Sequence, residues 1–148
     1  KVSEIIRSNL VSDETSNSQE IHGNFVVMKT LFELKTGNRK WNSFFCLPPL
    51  AFHLNEVNGD IDLIGIQDGL LFIGEAKVNS NLFATKDIEN LILLGNYLKP
   101  DVIILSYMKG NEPISKAEKI RKAISHECEI RIIQIPEPDY SLIEFPTQ

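Results

Sequence analysis

Asp68-Gly69 constrains this chain more than any other pair of residues. It sits inside GDIDLIGIQDGLLFIGEAK, residues 59–77, between two apolar segments. A two-residue hairpin turn needs positive φ at both central residues, and Asp-Gly tolerates that. The spacing predicts antiparallel strands over 60–66 and 70–78. A two-residue loop also sets the register. Gln67 falls opposite Leu70, Asp62 opposite Glu75, and Asp60 opposite Lys77. Side chains alternate along a strand, and directly paired residues share a face. Asp60, Asp62, Glu75 and Lys77 are therefore expected on one face. Ile61, Leu63, Gly74 and Ala76 are expected on the other.

Two carboxylates opposite each other on adjacent strands repel, with Cβ atoms about 5 Å apart. A cation or a shared proton must offset that repulsion. Mg²⁺ takes one or two carboxylates and completes its shell with water and substrate phosphate. Lys77, two residues beyond Glu75 on the same face, can orient a water or stabilise charge on a phosphate. This residue set suits metal-assisted hydrolysis of a phosphodiester.

The rest of the chain predicts the frame around the hairpin. From about Ser18, Ile21, Phe25, Met28, Leu31 and Phe32 recur at helical spacing, and Gly37-Asn38 offers a stop. Residues 41–47 read as an aromatic strand ended by Pro48-Pro49, with Trp41 packed under the sheet, and 50–54 as a short extended piece. Residues 85–98 read as a helix ended by Pro100. DVIILSY, residues 101–107, is a nearly unbroken apolar run, as in a strand buried on both faces. Ser115 and Glu118 form the pattern of a capping box, which predicts a helix over 115–126. Residues 129–135 read as a last strand, and 141–145 as an edge segment. The order predicts an α/β fold with a mixed central sheet flanked by helices.

These residues resemble the PD-(D/E)xK nuclease superfamily, the core of type II restriction enzymes and archaeal Holliday junction resolvases. In that family an Asp on one hairpin strand and a Glu-x-Lys on the next form the active site. Asp62 matches the Asp, and Glu75-Ala76-Lys77 matches Glu-x-Lys. The Pro of the family name is replaced by Ile61. The resemblance covers roughly residues 18 to 135. It implies a restriction-endonuclease-like core and a Mg²⁺-dependent endonuclease, with Mn²⁺ as a substitute and nucleic acid, DNA ahead of RNA, as substrate. It implies that Asp62 and Glu75 hold the metal with the Ala76 carbonyl, and that Lys77 acts on the water or the phosphate. The family often adds a Glu from the first helix, and Glu20 is the best-placed match. Asp60 is expected behind the metal or along the groove.

Glu-x-Lys alone carries little information, and the chain holds an internal control. Glu33-Leu34-Lys35 has the same pattern on a predicted helix, where residues two apart point to different sides. It reads as a solvated face. So does the KAEKIRK run of 116–122. Lys35, Arg39 and Lys40 form a basic run, and Lys86 opens the helix after the Glu-x-Lys strand. Asp60 with Lys77 also reads as a plain cross-strand ion pair, worth under ~1 kcal/mol on an exposed face. That leaves Asp62 and Glu75 unexplained.

Composition limits the alternatives. The chain has 148 residues, 43% hydrophobic and 24% charged, which is ordinary for one globular domain. No run approaches the ~20 apolar residues of a membrane helix, and no signal peptide is visible, so a cytoplasmic protein is expected. Residues 1–17 read as an extension or linker and 18–148 as the nuclease-like domain. The chain starts at Lys1, which suggests a fragment of a larger protein. Target choice would then lie in further domains or a homodimer partner. The net charge of −5 argues against bulk electrostatic nucleic-acid binding, but not against a local basic groove. Cys46 and Cys128 have neither metal nor disulfide spacing and read as buried thiols. His22, His53 and His126 have no mutual ligand spacing. Two rivals remain: a catalytically silent nucleic-acid-binding or scaffold module of the same fold, and an unrelated α/β domain with a surface charge cluster.

Overall fold

The structure, a computed structural model, describes residues 18–37 and 43–138, with side chains from Gly23 onward. The expected extension over 1–17, the edge segment in 141–145, Trp41, Arg39 and Lys40 lie outside the described residues, as do the side chains of Glu20 and His22.

The hairpin forms in the expected register. Strand β4 (Leu63–Gln67) pairs antiparallel with β5 (Leu70–Asn79), from Gln67 opposite Leu70 to Leu63 opposite Gly74. Asp68 and Gly69 take φ of 46° and 82°, the left-handed values this turn demands. The Asp68 side chain also accepts the Ser43 backbone N–H at 2.9 Å, which ties the turn to the start of β1 (Phe44–Leu47). β1 adds antiparallel to β4.

The chain then crosses over twice through helices. A short 3₁₀ turn (Ser80–Leu82) leads to α2 (Thr85–Leu98), which returns to β6 (Val102–Lys109) beside β5. Helix α3 (Ile114–Ala123) leads to β7 (Glu129–Gln134) beside β6. Both added pairs are parallel. The result is an α/β fold whose main sheet runs β1-β4-β5-β6-β7, mixed as expected.

Helix α1 (Ser18–Thr36) covers one face, with Val26, Val27 and Leu34 against Leu63, Phe72, Ala76 and Ile104. Helices α2 and α3 cover the other, with Ile88, Leu91 and Ile120 against Ile73, Ile103 and Leu105. Strand β6 is buried from Val102 to Met108, between the two layers. Each fully buried Ile, Leu or Val side chain contributes about 1.5–3 kcal/mol to this packing.

Three expectations are corrected. The apolar stripe expected on α1 is only partly its buried face, with Phe25 and Leu31 packed at the edge of the core. Met28 and Phe32 are 47% and 55% exposed, and the helix packs through Val26, Val27, Thr30 and Leu34. Apolar residues surround this helix, so periodicity does not select a side. A polar contact marks the buried one: the Thr30 and Ser106 hydroxyls meet at 2.6 Å, and Thr30 also donates to the Val26 carbonyl. The expected capping box of α3 does not form. Ser115 and Glu118 are exposed inside the helix, which begins one residue after Pro113 and ends at Ala123 rather than His126. Pro113 supplies a preset φ, and its carbonyl accepts the Lys116 and Ala117 N–H groups.

The third correction bears on the site. The strand expected over 60–66 is two strands. β3 (Val57–Ile61) pairs with β2 (Leu50–Leu54) as a separate hairpin, and the chain bends at Asp62 before β4 begins. Asn55 and Glu56 make its turn, with φ of 50° and 61°. Asp60 is therefore opposite Ala51, exposed, and not opposite Lys77. Ile61 joins the core under α2 and α3, while Leu63 joins the core under α1. A continuous strand would have kept both on one face.

Candidate active site

The Glu-x-Lys segment lies in the buried half of β5. Alternation turns Glu75 and Lys77 toward the α2 side with Ile73, and Ala76 toward α1. Gly74 precedes them because β5 and β6 run close together here: a Cβ at 74 would stand 2.5 Å from the Ile104 carbonyl oxygen. Glu75 is 4% exposed and flanked by β6, opposite Leu105. A carboxylate buried this far needs compensation.

Lys77 supplies part of it. Its Nζ lies 2.7 Å from Glu75 Oε1, in contact along one strand face. The same ammonium lies 3.3 Å from Asp87 Oδ2, at the start of α2. Asp87 Oδ2 also accepts the Ala84 backbone N–H at 2.9 Å, one of the orphan donors of that helix.

Asp62 stands at the bend. The β4–β5 ladder ends at Leu63 and Gly74, so Asp62 lies just beyond the last pair rather than in a regular pair with Glu75. Its Oδ2 accepts the Ala76 backbone N–H at 3.0 Å. The side chain thus takes over a ladder donor that the departing β3 strand leaves behind. The bend holds Asp62 next to the Glu-x-Lys segment although the backbone turns away.

The electrostatics follow from this packing. Burial, then the Asp62 carboxylate, push the Glu75 carboxyl up to about 8, against the downward pull of Lys77. Burial would lower the Lys77 ammonium, but the hydrogen bond to Glu75 and the surrounding carboxylates outweigh it and raise it. Burial first and the neighbouring carboxylate second favour the neutral form of Glu75, and a cation placed here would reverse that preference.

A cleft of about 230 Å³ opens beside these groups. Asp62, Ala76 and Lys77 line it together with Gly23, Asn24 and Val27 of α1, Val78, and Leu82 of the 3₁₀ turn. Glu20 stands on the α1 backbone three and four residues before Gly23 and Asn24, one helical turn from the cleft wall. A larger cavity of about 340 Å³ lies at the other end of α1, with Glu33, Gln67, Phe72 and Arg131 among its lining. Each lining holds one carboxylate, Glu33 there and Asp62 in the smaller cleft, but Asp62 has the buried Glu75 beside it, which favours the smaller cleft.

The expected residues are thus brought together in part. Asp62, Glu75, Ala76 and Lys77 meet at one place, and Asp60 does not join them. Among the described residues, no three His, Cys, Asp or Glu side chains converge into an all-protein metal cage. Asp62 and Ala76 on a solvent-connected cleft, with Glu75 buried beside them, offer oxygen donors of the kind taken by a hard cation that keeps most of its water, as Mg²⁺ does. The described histidines are engaged elsewhere, His53 with Asn58 and His126 with the Pro100 carbonyl. Cys46 and Cys128 are free and only half-buried. Lys35, Lys86 and most of 116–122 are exposed. Asp87 was not anticipated. Its one signal in the sequence is an acidic residue at the third position of the helix that follows the Glu-x-Lys strand.

Among the described residues, no helix is long and apolar enough to cross a membrane. Comparison with protein-family models, with curated proteins and with solved structures finds no match.

Proposed function

We propose that this chain is a metal-dependent nuclease of the PD-(D/E)xK type, hydrolysing phosphodiester bonds of nucleic acid, DNA ahead of RNA. One observation carries the reading. A buried Glu75 is crowded by Asp62 and tied to Lys77, and Asp62 and Lys77 line an open cleft. A fold has little structural reason to bury one carboxylate, set a half-buried second one and a lysine beside it, and leave a cleft against that second carboxylate. The order of helix, antiparallel hairpin, helix and parallel strand supports the same reading.

Asp62 and Glu75 would hold Mg²⁺ or Mn²⁺, with the Ala76 carbonyl and Glu20 completing the set. Bound there, the cation supplies a Lewis acid and neutralises phosphate charge. Asp62 and Glu75 are the groups that fix it, and both must be ionised to do so. Lys77 keeps its proton, faces the cleft, and stabilises negative charge that builds on the phosphate oxygens or orients the attacking water. The −5 net charge leaves no bulk attraction for a polyanion, so substrate capture depends on the cation and on local lysines. The half-buried free thiols suit a cytoplasmic setting.

The test is incubation of the protein with end-labelled single- and double-stranded DNA and RNA, in Mg²⁺, in Mn²⁺ and in chelator. Cleavage that needs the metal is the expected result. Binding without cleavage in either metal would replace this reading with the silent-module one.

A further inference from the structure

We propose that Asp87 is a positioning residue for Lys77: its carboxylate holds the ammonium at the cleft wall as a second anionic partner, so that Glu75 is free to hold a cation. The inference rests on the nuclease reading for its purpose, but its geometry stands apart from it.

An ammonium has three donors. That of Lys77 spends one on Glu75 Oε1 at 2.7 Å and reaches Asp87 Oδ2 at 3.3 Å. The two carboxylates come from different elements, β5 and α2. Asp87 is itself held, because Oδ2 also accepts the Ala84 N–H at 2.9 Å, and the next turns of α2 are anchored by buried Ile88 and Leu91. A flexible lysine stem loses about 2 kcal/mol of rotamer entropy when fixed, and two fixed partners offset that better than one.

Charge balance gives the contact its consequence. Asp62, Glu75 and Asp87 surround one ammonium, Lys77, and once Glu75 ionises, as holding a cation requires, the excess of two negative charges matches a divalent cation. A cation at Glu75 competes with Lys77 for the same carboxylate. With Asp87 present, the ammonium has an anion to remain against. Without it, Glu75 is the one remaining ion-pair partner of Lys77, and the ammonium opposes the cation. A plain helix cap would account for the Ala84 contact alone.

Asp87→Asn separates the two roles. The amide oxygen still accepts the Ala84 N–H, while the negative charge beside Lys77 is gone. In chelator, Lys77 acetylation by acetic anhydride, read by peptide mass spectrometry against Lys35, is expected to rise several-fold in Asp87→Asn, with melting unchanged. Calorimetric Mn²⁺ affinity without substrate is expected to fall about tenfold, and this loss should vanish when Asp87→Asn is made in a Lys77→Met background. An unchanged labelling rate overturns the proposal whatever the metal does. An affinity loss of the same size in the Lys77→Met background also overturns it, since Asp87 would then act on the cation directly. If the parent protein binds no Mn²⁺, the nuclease reading fails, and the labelling ratio alone decides whether Asp87 positions Lys77.

Discussion

Glu33-Leu34-Lys35 and Glu75-Ala76-Lys77 are the same pattern in two settings, and only one of them builds anything. On α1, residues two apart are rotated to different sides, and both Glu33 and Lys35 are exposed. On β5, residues two apart share a face, so Lys77 reaches Glu75 at 2.7 Å. Burial then separates the pairs further. Water screens charge at 33 and 35, whereas Glu75 is pushed up to about 8 by burial and by Asp62. The same tripeptide gives two different environments, and strand geometry, a second carboxylate and exclusion of water make the difference.

The largest expected effect comes from removing a proposed ligand. Asp62→Ala and Glu75→Ala should reduce metal-dependent cleavage to background, while Glu33→Ala cuts as the parent does. Equal activity across all of them, measured on the same substrate, would erase the distinction between the two copies. Next comes Lys77→Ala, expected to lose about 10²–10³-fold in turnover with Mn²⁺ affinity retained, against no loss for Lys35→Ala. Steady-state kinetics and calorimetry on these two variants and the parent check this.

A smaller effect concerns pH and needs no activity. Glu75 titrates near 4.5 when unfolded and at about 8 when folded. Between those values the folded state keeps a proton that the unfolded state releases, so metal-free stability falls as pH rises through that window. Melting followed in chelator from pH 5 to pH 8 should show the parent losing stability relative to Glu75→Gln. A parallel pair of curves would mean that Glu75 is not buried in this way. The smallest effect is Asp60→Ala. An exposed residue opposite Ala51 should change cleavage less than about twofold and stability by under about 0.5 kcal/mol.

The hairpin was legible because Asp68-Gly69 dictates both turn and register, and the two crossover helices because their apolar positions end at Pro and turn residues. The bend at Asp62 was not. Alternation in GDIDLIGI continues smoothly through it, and only the β2–β3 pairing, a competing use of residues 57–61, reveals that the strand leaves the sheet there. The site survives because Asp62 binds the Ala76 N–H in place of a strand partner. Asp87 was hidden for a different reason: its partner Lys77 is ten residues earlier and on another element, and helix position alone reads it as a cap. The face of α1 was hidden because its apolar residues surround the helix, and the Thr30–Ser106 hydrogen bond that marks the buried side is a tertiary contact.

The most direct measurement is diffraction from crystals soaked in Mn²⁺, with data collected for its anomalous signal. The account requires a peak bridging Asp62 and Glu75, about 2.0–2.3 Å from their oxygens, and no peak at Glu33. Mn²⁺ absent from that position in crystals whose cleft is open to solvent, or bound only elsewhere on the protein, would contradict it.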